Sequence, residues 1–320
     1  MIKLQRIILR SPPVSFLIRK SKRIILPGFE GLALYDVAKF FFAQVRQIGL
    51  TERAAAISFN FLMAMPPLCI FFFTLIANMP GSKNLVYHEF LVLIRQITPD
   101  TNTYKIIEGI ANDFFRSRSG FLSLGLFLAI FFSSNAMNTI IRTFNRSIHY
   151  IDTEKRNFFK NRWVAIKLTV LIVMLIIATI LILITQGAVL RQIKKWLEIR
   201  DNSLNWLVSI LRLFVTFVLI FFGTAFIYRY APSIEKKWKL NSPGALFATF
   251  LIMAFTFLFS YWVNNVATYN KVYGSIGSIL ILMLLVFVNS LVLLIGFELN
   301  VSIKSLKSIA LRRQVLENKT

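Results

Sequence analysis

The sequence predicts an all-α, polytopic membrane protein with six transmembrane helices, and three observations carry that prediction. The 320 residues are 56% hydrophobic and include 32 phenylalanines, more apolar surface than a soluble domain can hide. Six stretches supply the roughly 20 apolar residues that cross about 30 Å of hydrocarbon: 54–77, 121–141, 163–185, 204–228, 242–263 and 273–300. The basic residues alternate from link to link. Segments 1–53, 142–163, 229–242 and 299–320 together hold 25 Lys and Arg, against 10 in 79–118, 187–203 and 264–272. The first set is therefore expected in the cytoplasm, with both termini inside.

The expected organisation is a cytoplasmic basic arm with an interfacial helix over 1–50, the six-helix domain over 51–305, and a cytoplasmic tail over 306–320. The net charge of +23 suits anionic lipid headgroups, which attract about 1 kcal/mol per basic residue near the surface. Nucleic acid is not expected as a partner, because no aromatic-basic binding module accompanies the charge. The single Cys69 permits neither an internal disulfide nor a thiolate metal cluster.

In the arm, Pro12, Pro13 and Pro27 interrupt the apolar residues, which argues against a secretory signal and for a retained segment resting on an anionic leaflet. Residues 32–48 then read as an amphipathic interfacial helix, with Phe40, Phe41 and Val45 on its apolar side and Asp36, Lys39 and Arg46 toward water. Thr51 is the expected N-cap of the first span. That span opens with small residues suited to close packing and carries Asn60 and Pro66-Pro67. Neither proline has an N–H, so the carbonyls of Leu62 and Met63 lose their partners and a kink is expected. In the outer segment that follows, two short amphipathic helices are expected around 90–97 and 104–115.

The second span begins apolar and ends polar. At 3.6 residues per turn, Ser134, Asn138, Arg142 and Asn145 share a stripe with Asn135 and Arg146 at its edge. Such groups cannot face lipid unpaired. They either join helices or line a substrate path, and both readings stand at this point. The third span has few polar side chains. The fourth carries Arg212 near its outer end, where it can snorkel, and Ser242-Pro243 marks the start of the fifth.

The sixth span has Gly274 and Gly277 near its outer end, Asn289 deep and Glu298 near its inner end. Because it runs in the same direction as the second, Glu298 arrives at the depth of Arg142 and Arg146. An ion pair with Arg142, Arg146 or Arg53 is expected, on the face opposite Asn289. The expected substrate-binding set is Asn60, Ser134, Asn138, Arg142, Arg146, Asn289 and Glu298.

Enzymatic chemistry finds little support. His88 and His149 fall on opposite sides of the membrane, Asp152 and Glu154 form a lone acidic pair, and no nucleophile has a nearby base. No catalytic residue, metal or cofactor is expected, and no nucleotide-binding loop is present.

Four blocks carry a family resemblance: AAAISFNFLMAMPPL, FFSSNAMNTIIRTFNR, YRYAPSIEKKWKLNSPGALFATFLI and YNKVYGSIGSILILMLLVFVNSLVLLIGFELN. With these, in this order over about residues 40 to 305, the chain resembles the YihY/BrkB family of bacterial inner-membrane proteins. Members once carried the name ribonuclease BN, a label considered mistaken. The resemblance implies six spans in the inner membrane with cytoplasmic termini, and export or movement of lipids or other amphiphiles is suspected for some relatives. The expected function is thus a transporter or flippase-like exporter of lipids or anionic amphiphiles. The alternative is a membrane scaffold or envelope-integrity protein, with ribonuclease activity a distant third.

Overall fold

The computed structural model describes residues 12–78, 91–92, 94–95, 101–115, 120–196, 205–265 and 275–317. Among them the chain is helical, with no β-strand beyond an isolated antiparallel bridge between Thr153 and Ile234. The helices are α1 (Pro12–Ser21), α2 (Leu34–Gln47), α3 (Leu50–Asn78), α4 (Thr101–Phe115), α5 (Gly120–Asn145), α6 (Phe158–Trp196), α7 (Asn205–Tyr230), α8 (Pro243–Asn265) and α9 (Ser275–Glu317). Among the described residues four have the length and composition to cross a membrane: α6 over Phe158–Thr179, α7 over Ser209–Tyr230, α8 over Pro243–Val263 and α9 over Ile279–Glu317. α3 and α5 have 29 and 26 residues, about 43 and 39 Å at 1.5 Å per residue.

The core sits at one end of the bundle, where α3 and α8 begin and α5 and α7 stop. Phe144 of α5 and Phe297 of α9 stack with ring centroids 3.7 Å apart, and Tyr228 of α7 meets both edge-on. Trp238 closes on Phe297 at 5.1 Å. Ala54, Ile141, Ala165, Ala231, Ala245 and Val301 fill the space around these rings without reaching solvent. Gly244 of α8 and Gly296 of α9 let two backbones approach: a Cβ on Gly296 would come within 2.6 Å of the Ala248 Cβ. Only glycine fits such a crossing.

Polar contacts tie the same end. The Ser242 side chain accepts from the Ala245 N–H at 3.4 Å and from Asn300 Nδ2 at 3.0 Å, and Asn300 Oδ1 accepts from the Gly244 N–H at 2.8 Å. Ser242 thus caps α8, with Pro243 in the first turn where its missing N–H costs nothing. Arg156 caps the opposite kind of terminus. Its guanidinium reaches the carbonyls of Tyr230, Ala231 and Pro232, orphan acceptors at the negative end of α7.

The segment between α1 and α2 packs on the far part of α9. Phe29, Val37 and Ile303 bury one another, and Glu30 bonds Lys304 and Lys307, the latter at 3.0 Å. Gly28 and Gly31, with φ of 86° and 87°, flank Glu30 at 53°. This left-handed turn is open to glycine at no steric cost.

One local expectation is corrected. Thr51 is not an N-cap: α3 starts at Leu50 after Gly49 (φ 63°), and the Thr51 hydroxyl bonds Glu52 instead. Pro66-Pro67, where a kink is expected, lie inside α3, which continues through them. The helix of the last apolar stretch runs on past residue 305, α9 ending at Glu317. Gly274 and most of the expected helix at 90–97 lie outside the described residues.

Candidate functional site

The site is built around Glu298, whose side chain has no exposure to solvent. Three elements converge on it besides its own helix. Ser147, just past α5, donates its hydroxyl to Glu298 Oε1. Gln44 of α2 donates Nε2–H to Oε2 at 3.0 Å. Arg53, in the first turn of α3, places Nη1 4.0 Å from Oε1. The same Nη1 donates to Ser147 Oγ at 2.7 Å and to the Thr143 carbonyl at 3.4 Å. A buried carboxylate in an apolar bundle requires such partners, because an unpaired charge there is costly.

The expected ion pair is therefore with Arg53; Arg142 and Arg146 do not pair with Glu298. The reason is helical drift. Each four-residue step advances about 40°, so Arg142 stands about 80° round α5 from Ser134 and leaves the buried face. Ser134 is fully buried and bonds the Phe131 carbonyl of its own helix. Asn138 is half-buried, whereas Arg142 and Arg146 are exposed.

Asn145 and Asn135 join helices. Asn145 exchanges two bonds with Ser233, at 2.8 and 3.0 Å. Asn135 accepts from Arg162 at 2.6 Å, while that guanidinium lies 5.3 Å from the Phe131 ring centroid. Asn60 and Asn289 each bond the carbonyl four residues back, at 2.9 and 3.0 Å, and neither reaches the Glu298 cluster. The Asn289 Oδ1 is buried without a partner among the described residues.

The arrangement leaves cations on the rim. Neither Arg142 nor Arg146 has a carboxylate partner among the described residues, and Arg146 stands close enough to Arg53 for their charges to repel. By contrast, Glu154 pairs with Arg156 at 3.4 Å and Asp152 with Arg312 at 3.4 Å. Among the described residues no cluster of three or more His, Cys, Asp or Glu could hold a metal.

A family model described as Virulence factor BrkB matches residues 41–317. The chain belongs to the YihY/BrkB family. It is a membrane protein, and its relatives within the family carry two kinds of name. The ribonuclease-like protein YfkH of Bacillus subtilis is 29% identical over 265 residues, covering 81% of this chain and 91% of its own length. A UPF0761 membrane protein of Idiomarina loihiensis is 32% identical over 99 residues, 31% of this chain and 32% of the relative. Another, from Alkalilimnicola ehrlichii, is 22% identical over 264 residues, which cover 81% of this chain and 56% of the relative. No solved structure matches the chain.

Sequence reasoning missed Gln44 and Ser147. Gln44 lies 254 residues from Glu298, and nothing in its local spacing marks it. Ser147 carries one signal in the sequence: it follows the polar end of the second apolar stretch, where a partner for Glu298 is expected.

Proposed function

We propose that the protein is a six-span inner-membrane transporter or flippase-like exporter of lipids or anionic amphiphiles, with both termini in the cytoplasm. The observation that carries this reading is the rim formed by Arg142 and Arg146, which have no carboxylate partner among the described residues, beside Arg53. Arg142 and Arg146 are separated by one turn of α5, so both project from one side of it. A guanidinium grips phosphate through parallel hydrogen bonds, which favours anionic headgroups over neutral ones. The proposed partners are membrane lipids, with no nucleic acid. No cofactor enters this reading, and neither does catalysis, since Asp152 and Glu154 are engaged in ion pairs.

The proposed spans are α3 and α5 to α9. Placing the rim in the cytoplasm follows from the basic links, and the headgroup would enter from the inner leaflet. Asn60, Ser134, Asn138 and Asn289 are proposed to line the path, with Glu298 supporting the rim.

Reconstituted protein tests the reading through the rate at which a fluorescent phosphatidylglycerol crosses vesicles. The double variant Arg142→Gln/Arg146→Gln should lose most of the rate on the anionic lipid. Movement at the wild-type rate would remove the headgroup role.

A scaffold role has one specific observation in its favour. The last turns of α9 expose Leu311, Val315 and Leu316, which with Arg312 line a shallow depression of about 390 Å³. If that surface holds partners, Leu311→Ser/Leu316→Ser should disrupt an assembly while lipid movement continues.

A further inference from the structure

Arg53 is bound along one edge only. Its Nη1 makes every contact to Ser147, Thr143 and Glu298, which leaves Nε and Nη2 without a protein partner among the described residues. The side chain is 15% exposed, so the guanidinium spans the boundary between the buried carboxylate and the rim. An anion seated between Arg53 and Arg146 would share the cation that faces Glu298.

Glu298 is held in a way that suits two protonation states. Its two direct donors, Ser147 and Gln44, are both neutral. A hydroxyl both donates and accepts. Ser147 can therefore turn its own proton away from Glu298 and accept one from it while still accepting from Arg53. The carboxyl gains its proton without any backbone movement. The charged and titratable groups that face it are Arg53 from α3, His149 from the link after α5, and Tyr228 from α7, while Arg146 acts on Arg53.

Two further buried hydroxyls lie on the same helix. Ser302 and Ser305 follow Glu298 at four and seven residues, on one stripe of α9. They are 0% and 1% exposed, and neither hydroxyl has a partner among the described residues. Buried hydroxyls of this kind are ordinarily served by water or by each other.

Resting on the anionic-amphiphile reading, we propose that seating a phosphodiester headgroup on Arg53 and Arg146 is coupled to uptake of one proton by Glu298. The anion draws on the charge of Arg53, the carboxylate loses part of its compensation, and the proton replaces it. Linkage makes the effect reciprocal: lowering the pH tightens anion binding, by up to about tenfold per pH unit where the coupling is full.

The test uses the full chain in phosphatidylcholine discs, titrated with soluble short-chain phosphatidylglycerol, a phosphodiester that keeps its single charge near neutrality. Calorimetry in two buffers of different ionisation enthalpy counts the protons taken up. The wild type should take up about one proton per probe bound in part of the range from about pH 5 to about pH 8. Glu298→Gln, which keeps the side-chain shape, should bind with no uptake and a flat pH profile. His149→Gln should keep the uptake. Binding by wild type with no proton taken up at any of these pH values would overturn the coupling while leaving the rim as an anion site. Uptake that persists in Glu298→Gln would also overturn it. No binding at any pH would remove both the coupling and the reading beneath it.

Discussion

Tyr228 and Phe214 belong to the same helix, yet one is 1% exposed and the other 63%. The contrast holds across the bundle. At the basic end, Ala54, Ala225, Ala245 and Ala248 are buried and let helices close around Phe144 and Phe297. Farther along, Met174 on α6, Phe214 on α7, Leu258 on α8 and Ile279 on α9 all face outward. Small residues and paired polar groups mark where helices meet; large aliphatics and aromatics mark where they meet lipid, which removes the usual penalty for exposing them. In such a protein, hydrophobicity says where the membrane is and little about where the core is.

Substitutions can break this contrast. The largest effect is expected at Glu298→Leu, which strands Arg53 beside an apolar side chain. Breaking a buried pair from one side costs about 3–5 kcal/mol, so the folded fraction recovered in detergent should fall sharply. Next, Gly296→Ala drives a Cβ against the Tyr228 hydroxyl and Ala248 and should cost about 1–3 kcal/mol. Gly223→Ala on α7 meets only the Ile172 methyl at 3.9 Å, so its thermal midpoint should stay at or above wild type. Phe214→Ala should shift stability by no more than about 0.5 kcal/mol, as exposed positions do. Equal losses at Phe214 and at Gly296 would dissolve the distinction between the two regions.

A small, pH-dependent effect is expected where the basic end meets the arm. Burial pushes the Glu30 carboxyl up, but the hydrogen bonds and charges of Lys304 and Lys307 outweigh it and hold the group below its ordinary value. The folded value is thus the lower one. The contribution is fully present above the unfolded value and is lost as pH falls through the folded one. Exposed pairs of this kind contribute about 0–1 kcal/mol. Hydrogen-exchange protection factors at residues 29–37, corrected for the intrinsic pH dependence of amide exchange, should fall on acidification in wild type, and should start low and vary less in Glu30→Gln.

Much of the fold was legible in the sequence because lipid imposes simple rules. Runs of apolar residues fixed where α3 and α5 to α9 would form, and Ser242-Pro243 marked the start of α8 by the chemistry of a helix N-terminus. The depth of Glu298 was readable too, since two spans running in one direction bring equivalent positions level. Its partner was left among three arginines, because the choice of Arg53 depends on how α3 is rotated. Arg142 was read as part of a single stripe with Ser134, and the 40° drift per four residues carries it to the rim. Gln44 could not be found, because helix docking across 254 residues leaves no periodic trace.

The most direct measurement is the lipid that accompanies the protein. Wild type and Arg142→Gln/Arg146→Gln are purified in native-like discs, and the retained lipids are identified by mass spectrometry. The account predicts an anionic phospholipid enriched over the bulk membrane in wild type and returned to bulk proportion in the variant. Bulk proportions in both, or an enrichment that survives in the variant, would contradict it.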